Sequence, residues 1–218
     1  MIVNEIVTGI IAVVIGYLLG SIPSAYIAAR LIKGKDIRRI GGGNVGARNV
    51  FTEVGKGAGI AVGIFDVGKG AAAVAIAQLL AAPLYEPYPF VLLAGLAAVV
   101  GHIWSIYLKF SGGNGLATTI GVLAILMHWE LLIVLALTAI LILVTRNPVL
   151  SVNISLLSVP LSAAFLFKES WQLVTFTIVL LLILVLHFLP TARAALTKAG
   201  SSEKLSAELL RRDKGEKE

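Results

Sequence analysis

Charge is nearly absent from most of this chain, and that absence restricts the fold more than any motif does. Six apolar runs cover residues 6–29, 58–84, 90–108, 116–144, 149–167 and 171–189. A helix needs about 20 such residues to cross ~30 Å of hydrocarbon. Of the thirty charged residues, nine lie in 30–56 and twelve in 193–218, which leaves nine for everything else. The chain is 58% hydrophobic and 14% charged, with a mean hydropathy of +0.94. Soluble domains run near 45–50% and about 25%. A soluble fold, a disordered chain and a nucleic-acid module are therefore excluded, although the formal charge is +6. Zero cysteines remove disulfides, thiolate metal sites and a cysteine nucleophile. His102, His128 and His187 have no HExxH-like spacing, so no zinc or di-iron centre is expected. The expected fold is all-α, a polytopic transmembrane helix bundle.

Run 116–144 is 29 residues long and broken by His128-Trp129-Glu130. One crossing helix of that length is too long at ~1.5 Å per residue. Two short spans give about seven in all; five full spans plus short or re-entrant pieces are the alternative. With seven, the 30–56 loop, Lys109, Arg146 and the C-terminal tail share one side, which holds sixteen of the eighteen Lys and Arg. The positive-inside rule makes that side cytoplasmic, with the N-terminus outside and the C-terminus inside. The first cation is Arg30, so no cleaved signal peptide is expected. The organisation read from this is one transmembrane domain over 1–190 and a charged cytoplasmic tail over 191–218.

Three polar segments meet on that face: 30–56, 109–119, and His187 onward. The first contains Gly41-Gly42-Gly43-Asn44-Val45-Gly46, a literal G-x-G-x-x-G. A dinucleotide fold needs a strand before it and a βαβ unit, neither of which fits between membrane helices. Successive glycine N–H groups can instead form an anion-binding nest, with Lys35, Arg38, Arg39 and Arg48 beside it. The same cations also fit topology and anionic lipid. In the second segment Lys109 precedes Gly112, Gly113, Asn114 and Gly115, directly before an apolar helix containing Thr118. Helix N-termini attract anions; a plain Asn-Gly turn is the alternative. No G-K-[ST] occurs, so neither loop is a P-loop. Asp66 and Lys69 place opposite charges three residues apart within a span, as a functional pair or as a neutral pair ordering the bundle. His102 and His187 are each placed to act as general base or to make an interfacial hydrogen bond. Gly16/Gly20 and Gly59/Gly63 read as close helix packing.

These motifs come in a recognisable order: Gly20-Ser-Ile-Pro-Ser24, the 41–49 loop ending in Asn49, Asp66-x-x-Lys69-Gly70, Gly101-His102, and the loop and helix start at 111–122. Over nearly its whole length the chain resembles the bacterial acyl-phosphate:glycerol-3-phosphate acyltransferases. The resemblance implies an inner-membrane enzyme with a cytoplasmic active face. It would transfer a fatty acyl group from acyl phosphate to the 1-hydroxyl of glycerol 3-phosphate, giving lysophosphatidic acid for phospholipid synthesis. It implies no metal, nucleotide or acyl-CoA. Implied partners are the two substrates, membrane lipids and other phospholipid-synthesis enzymes, with no nucleic acid. Catalytic groups would be His187, Arg48 and His102. Phosphate would be bound by Gly41, Gly43, Asn44, Gly46, Asn49, Lys109, Gly112, Gly113, Asn114, Gly115 and Thr118.

Several positions depart from the family's pattern. Gly42 stands for a serine, Arg48 for a threonine, Thr52 for an arginine, Asn114 for a lysine, and Pro190 for an asparagine after His187. Arg48 and Thr52 would lie one turn apart if 47–53 is helical, so Arg48 could cover the phosphate the lost arginine served. A catalytically weakened paralogue that binds lipid phosphates, and a small transporter, are the other function classes.

Overall fold

The computed structural model describes the backbone of residues 2–82 and 88–199, and the side chains of 5–82 and 88–190. Among the described residues all regular structure is helical. Glu86 and tail residues 200–218 lie outside them. The chain forms two compact units, Met1–His128 and Trp129–Glu218.

The first unit begins with α1 (Ile2–Ser21) and α2 (Ser24–Lys33). Proline has no N–H and disfavours helix in the residue before it, so the chain breaks at Ile22-Pro23. A tight turn bridges the break, Ser24 N donating to the Ile22 carbonyl at 3.1 Å. α2 stops at Gly34, which takes the left-handed φ of 65° that its lack of a Cβ permits. A 3₁₀ turn (Ile37–Arg39) and the first glycine loop lead to α3 (Ala47–Glu53) and α4 (Lys56–Ala81). Then come α5 (Tyr88–Ile103), a 3₁₀ turn (Ile106–Leu108), the second glycine loop and α6 (Leu116–Leu126).

Small residues let these helices approach to backbone contact. A Cβ on Gly16 would stand 2.5 Å from the Ala94 carbonyl oxygen, and one on Gly20 would strike that of Ala98, so α1 lies directly against α5. Gly70 abuts the Thr118 carbonyl and Gly121 that of Val67, which docks α6 onto α4. Gly59 meets the backbone of Phe51 and seats α3. This is membrane-type packing, in which close van der Waals contact replaces the hydrophobic effect. Large apolar side chains are on the outside, Leu31 at 81% and Leu79 at 76% exposure, as suits a lipid-facing surface.

The second unit holds α7 (His128–Thr145) from Trp129 onward, α8 (Pro148–Leu156), α9 (Ser158–Leu161) and α10 (Trp171–Ala199). Asn147 caps α8 by accepting from Leu150 N at 3.2 Å. Pro160 removes one helical donor, and the register widens into a π-turn at Ser162–Leu166. α10 passes through the 190/191 boundary that composition had set.

Among the described residues six stretches are long and apolar enough to cross a membrane: Glu5–Lys33, Lys56–Ala81, Tyr88–Leu108, His128–Thr145, Pro148–Leu166 and Trp171–Pro190. With the short apolar helix Leu116–Leu126 these make the seven apolar segments expected. The 116–144 run does divide, at Met127, but α6 has only 11 residues. At ~1.5 Å each it spans roughly half the hydrocarbon.

Candidate active site

The two glycine loops meet in the first unit, above a buried charged cluster. α4 contributes Asp66 and Lys69, which are 1% and 6% exposed. They are one helical turn apart, so Lys69 Nζ reaches Asp66 Oδ1 at 2.9 Å. Lys69 also donates to the Ile22 carbonyl at 2.9 Å, and Ser24 Oγ donates to Asp66 Oδ1 at 2.7 Å. The pair therefore ties down both sides of the break between α1 and α2. Burying an ion pair is costly, and the break offsets part of that cost with a carbonyl for the ammonium and a hydroxyl for one carboxylate oxygen.

His102, 7% exposed near the end of α5, completes the cluster. Its Nδ1 stands 3.7 Å from Asp66 Oδ1 and 3.1 Å from Thr118 Oγ1 of α6. The other edge of the ring faces the loops. A Cβ on Gly113 would strike His102 Nε2 and stand 2.5 Å from the Val45 carbonyl oxygen of the first loop. Gly113 N donates to the His102 carbonyl at 3.1 Å, which pins the second loop beneath α5. Gly113 has an ordinary φ, so glycine is required there for space. Gly115, with φ 78°, makes the turn into α6. A small polar pocket opens beside this junction, lined in part by Ser21, Ser24, Lys69, His102, Ser105 and Gly112.

The remaining expected residues fall as follows. In the first loop Gly41 and Gly43 have left-handed φ of 56° and 70°. Asn49 is buried, and its amide donates to the carbonyls of Ile37 (3.1 Å), Ile40 (3.1 Å) and Asn44 (3.0 Å) while Oδ1 accepts from Gly42 N at 3.2 Å. Its side chain thus holds the loop's own backbone. Gly46 precedes α3, and Arg48 is half-buried one turn before exposed Thr52, whose hydroxyl donates to the Arg48 carbonyl at 3.3 Å. Lys109 is exposed with φ 56°, and Asn114 is half-buried. Arg38 spans from the first loop to the second, donating to Ser111 Oγ at 3.5 Å and pairing with Asp36 at 2.7 Å. The Arg38 guanidinium bonded to it holds the Asp36 carboxyl down at about 2, from 3.8, against a smaller opposing effect of burial. His187 is half-buried on α10 in the second unit, three residues before Pro190. Sequence reasoning named Ser24 within the Gly20–Ser24 motif but gave it no role, and passed over Ser105. A serine just after a proline inside an apolar run was the available signal for the first.

A crystal structure of PlsY, an integral membrane glycerol 3-phosphate acyltransferase, in its glycerol 3-phosphate form superposes with a TM-score of 0.78. The two chains are 29% identical, over 87% of this chain and 92% of that one. The lysophosphatidic acid form of that protein gives a TM-score of 0.74 at 27% identity. Glycerol-3-phosphate acyltransferase 2 of Dehalococcoides mccartyi is 40% identical over 198 residues, 91% of this chain and 92% of the relative. Glycerol-3-phosphate acyltransferase 1 of the same species is 46% identical over 154 residues, 68% and 73% of the two chains. The model of the glycerol-3-phosphate acyltransferase family matches residues 10–196, and the chain belongs to that family. It is thus a multi-span membrane enzyme of phospholipid synthesis, and neither the transporter nor the weakened-paralogue reading is favoured.

Proposed function

We propose that this chain transfers a fatty acyl group from acyl phosphate to the 1-hydroxyl of glycerol 3-phosphate and releases lysophosphatidic acid. The observation that carries the reading is the contact of Gly113 with both His102 and the first loop's Val45, which makes one site of two glycine loops. Both substrates carry phosphate. Gly42, Gly43 and Gly113 give their N–H groups to Asn49 Oδ1 and to the carbonyls of Ile40 and His102, so the N-terminus of α6 and the cations Arg48 and Lys109 are the groups that suit those phosphates. Gly46 and Asn44 shape the first loop, Asn114 belongs to the second, and Thr118, buried on α6, reaches the site through its bond to His102 Nδ1.

An acyl phosphate is already activated, so the protein needs to supply position and charge more than a covalent intermediate. His102 Nε2 takes the proton from the glycerol hydroxyl as its oxygen bonds to the acyl carbon. The carbon–oxygen bond to phosphate then breaks, and the leaving phosphate recovers that proton. His187 is the alternative base. Arg48 takes over the phosphate contact of the arginine that Thr52 replaces.

The site faces the cytoplasm of a bacterial inner membrane, with the N-terminus outside, in keeping with the distribution of Lys and Arg. The transmembrane domain ends near 190 and the charged tail follows. The lipid product makes association with later phospholipid-synthesis enzymes advantageous. Rescue of a bacterial strain lacking its own glycerol-3-phosphate acyltransferases tests the reading. Growth with the parent and none with His102→Ala is expected; failure of the well-expressed parent would overturn it.

A further inference from the structure

Between the end of α5 and the second glycine loop, residues 104–110 form a turn with two unlike edges. It is built on 3₁₀ geometry, with Leu108 N donating to the Ser105 carbonyl at 3.1 Å and Ser111 N to the Leu108 carbonyl at 3.3 Å. Positions three apart then share an edge. The inner edge, Ser105, Leu108 and Ser111, is held by the fold. Ser105 Oγ donates to the Ser21 carbonyl, Leu108 packs in one cluster with Ala25, Ala29 and Ile37, and Ser111 Oγ donates to the Leu108 carbonyl. The outer edge, Trp104, Tyr107 and Phe110, is aromatic, with exposures of 39%, 55% and 64%. Lys109 and Phe110 have φ of 56° and 60°. A turn with positive φ at both central residues normally takes Asn-Gly or Gly-Gly, because a Cβ there is strained. Phe110 is too exposed to offset that strain by packing within the chain.

A contact outside the chain is therefore called for, and its depth is bounded from two sides. Irregular backbone exposed to hydrocarbon is not tolerated, since its free N–H and C=O groups would go unbonded there. Three exposed aromatic rings are equally ill-suited to bulk water. The turn also closes the apolar stretch Tyr88–Leu108, which puts it at the end of a crossing helix. Aromatic side chains concentrate at that level, ring in the acyl boundary and polar edge among headgroups. We propose that the 104–110 turn is a bilayer anchor: Trp104, Tyr107 and Phe110 insert among phospholipid headgroups and hold Lys109 and the adjoining glycine loop at the depth where a membrane-borne acyl phosphate presents its phosphate. The three rings touch none of the reacting groups, and their effect on turnover rests on the acyl-phosphate reading above. Acyl phosphate is confined to the bilayer by its chain, whereas glycerol 3-phosphate arrives from water. The depth of the loop thus matters to one substrate and little to the other.

Two measurements on the full chain in phospholipid nanodiscs, where both faces meet solvent, test it. The chain has three tryptophans, so Trp129→Phe/Trp171→Phe leaves Trp104 alone to report. Its emission should be quenched most by phosphatidylcholine brominated near the headgroup end of the chains, less by lipid brominated at the chain terminus, and little by aqueous iodide. Quenching by iodide alone would put the turn in water, and quenching by neither agent would put it beneath a protein partner or a second copy of the chain; either result overturns the anchor. Phe110→Gly removes the ring and relieves the positive φ, so anchoring is separated from folding. Melting should be no lower than in the parent, with KM for palmitoyl phosphate raised about fivefold or more and KM for glycerol 3-phosphate within about twofold. Phe110→Trp, which restores an interfacial ring, should keep both values near the parent's. If Phe110→Gly does not fold, Phe110→Asn replaces it, since asparagine also tolerates positive φ. Parental KM for palmitoyl phosphate in the ringless variant, or equal rises for both substrates, would overturn the hold on the loop. If the parent forms no lysophosphatidate, the proposed reaction fails by itself, and the quenching alone supports or overturns the anchor.

Discussion

Gly113→Ala is the smallest change that tests the joining of the two loops. The added methyl carbon has nowhere to go: it would strike His102 Nε2 and come within 2.5 Å of the Val45 carbonyl oxygen. One of these neighbours is backbone, so relief requires either rotating the imidazole or separating the loops. Overpacking of this kind costs about 1–3 kcal/mol. If the cost falls on the arrangement that binds the transition state, ~1.4 kcal/mol per tenfold converts it to a loss of about five- to a hundredfold in kcat/KM. Melting should drop by about 2–4 °C for each kcal/mol in a chain of this size. The assay is lysophosphatidate formation from labelled glycerol 3-phosphate, with thermal unfolding measured on the same preparation. Gly42→Ala is the matched control, because a Cβ there meets nothing within 4 Å and its φ is not left-handed. It should keep activity and melting within error. Equal effects at 113 and 42, or parental kcat/KM in Gly113→Ala, would refute the claim that this contact assembles the site.

Arg48→Ala should lose at least tenfold in acyl transfer, and Arg48→Ala/Thr52→Arg should recover part of it, since α3 places the two positions one turn apart; no loss in Arg48→Ala would sink the relocation. Asp36 is held below its ordinary carboxyl value by Arg38, so the stabilisation it provides is present above pH 3.8 and is lost as pH falls toward about 2. The melting difference between the parent and Asp36→Asn should therefore be constant above about pH 5 and shrink in acid; a difference that grew on acidification would contradict the pairing. Gly20→Val should destabilise the first unit by at least about 1–3 kcal/mol, because α1 rests on the Ala98 carbonyl there; parental melting in that variant would contradict the α1–α5 contact.

What could be read from the sequence follows from the range of each signal. Hydrophobic runs and the charges between them are local, and they gave the helical class, most of the spans and the division near Met127. The i, i+3 spacing of Asp66 and Lys69 is also local, and the two do pair. The break at Ile22-Pro23 was hidden because its flanks are apolar and the 6–29 run reads as one span. The meeting of His102 with Asp66 joins residues 36 positions apart in sequence, and no periodicity relates α5 to α4. Asn49 shows the same limit in another form. Its place in a glycine-rich motif suggested a phosphate ligand, whereas its amide is bonded to three carbonyls of its own loop. Side-chain type told what Asn49 could bind, and only the fold told what lies beside it.

The central claim is that this chain makes lysophosphatidic acid from acyl phosphate without any added cofactor. The direct measurement uses the purified protein in phospholipid nanodiscs, treated with a chelator and given palmitoyl phosphate and radiolabelled glycerol 3-phosphate. Label should pass into 1-acyl-glycerol 3-phosphate with release of one inorganic phosphate per product, and substituting palmitoyl-CoA should give none. Absence of labelled lipid from folded protein, or formation of it from palmitoyl-CoA alone, would contradict the account.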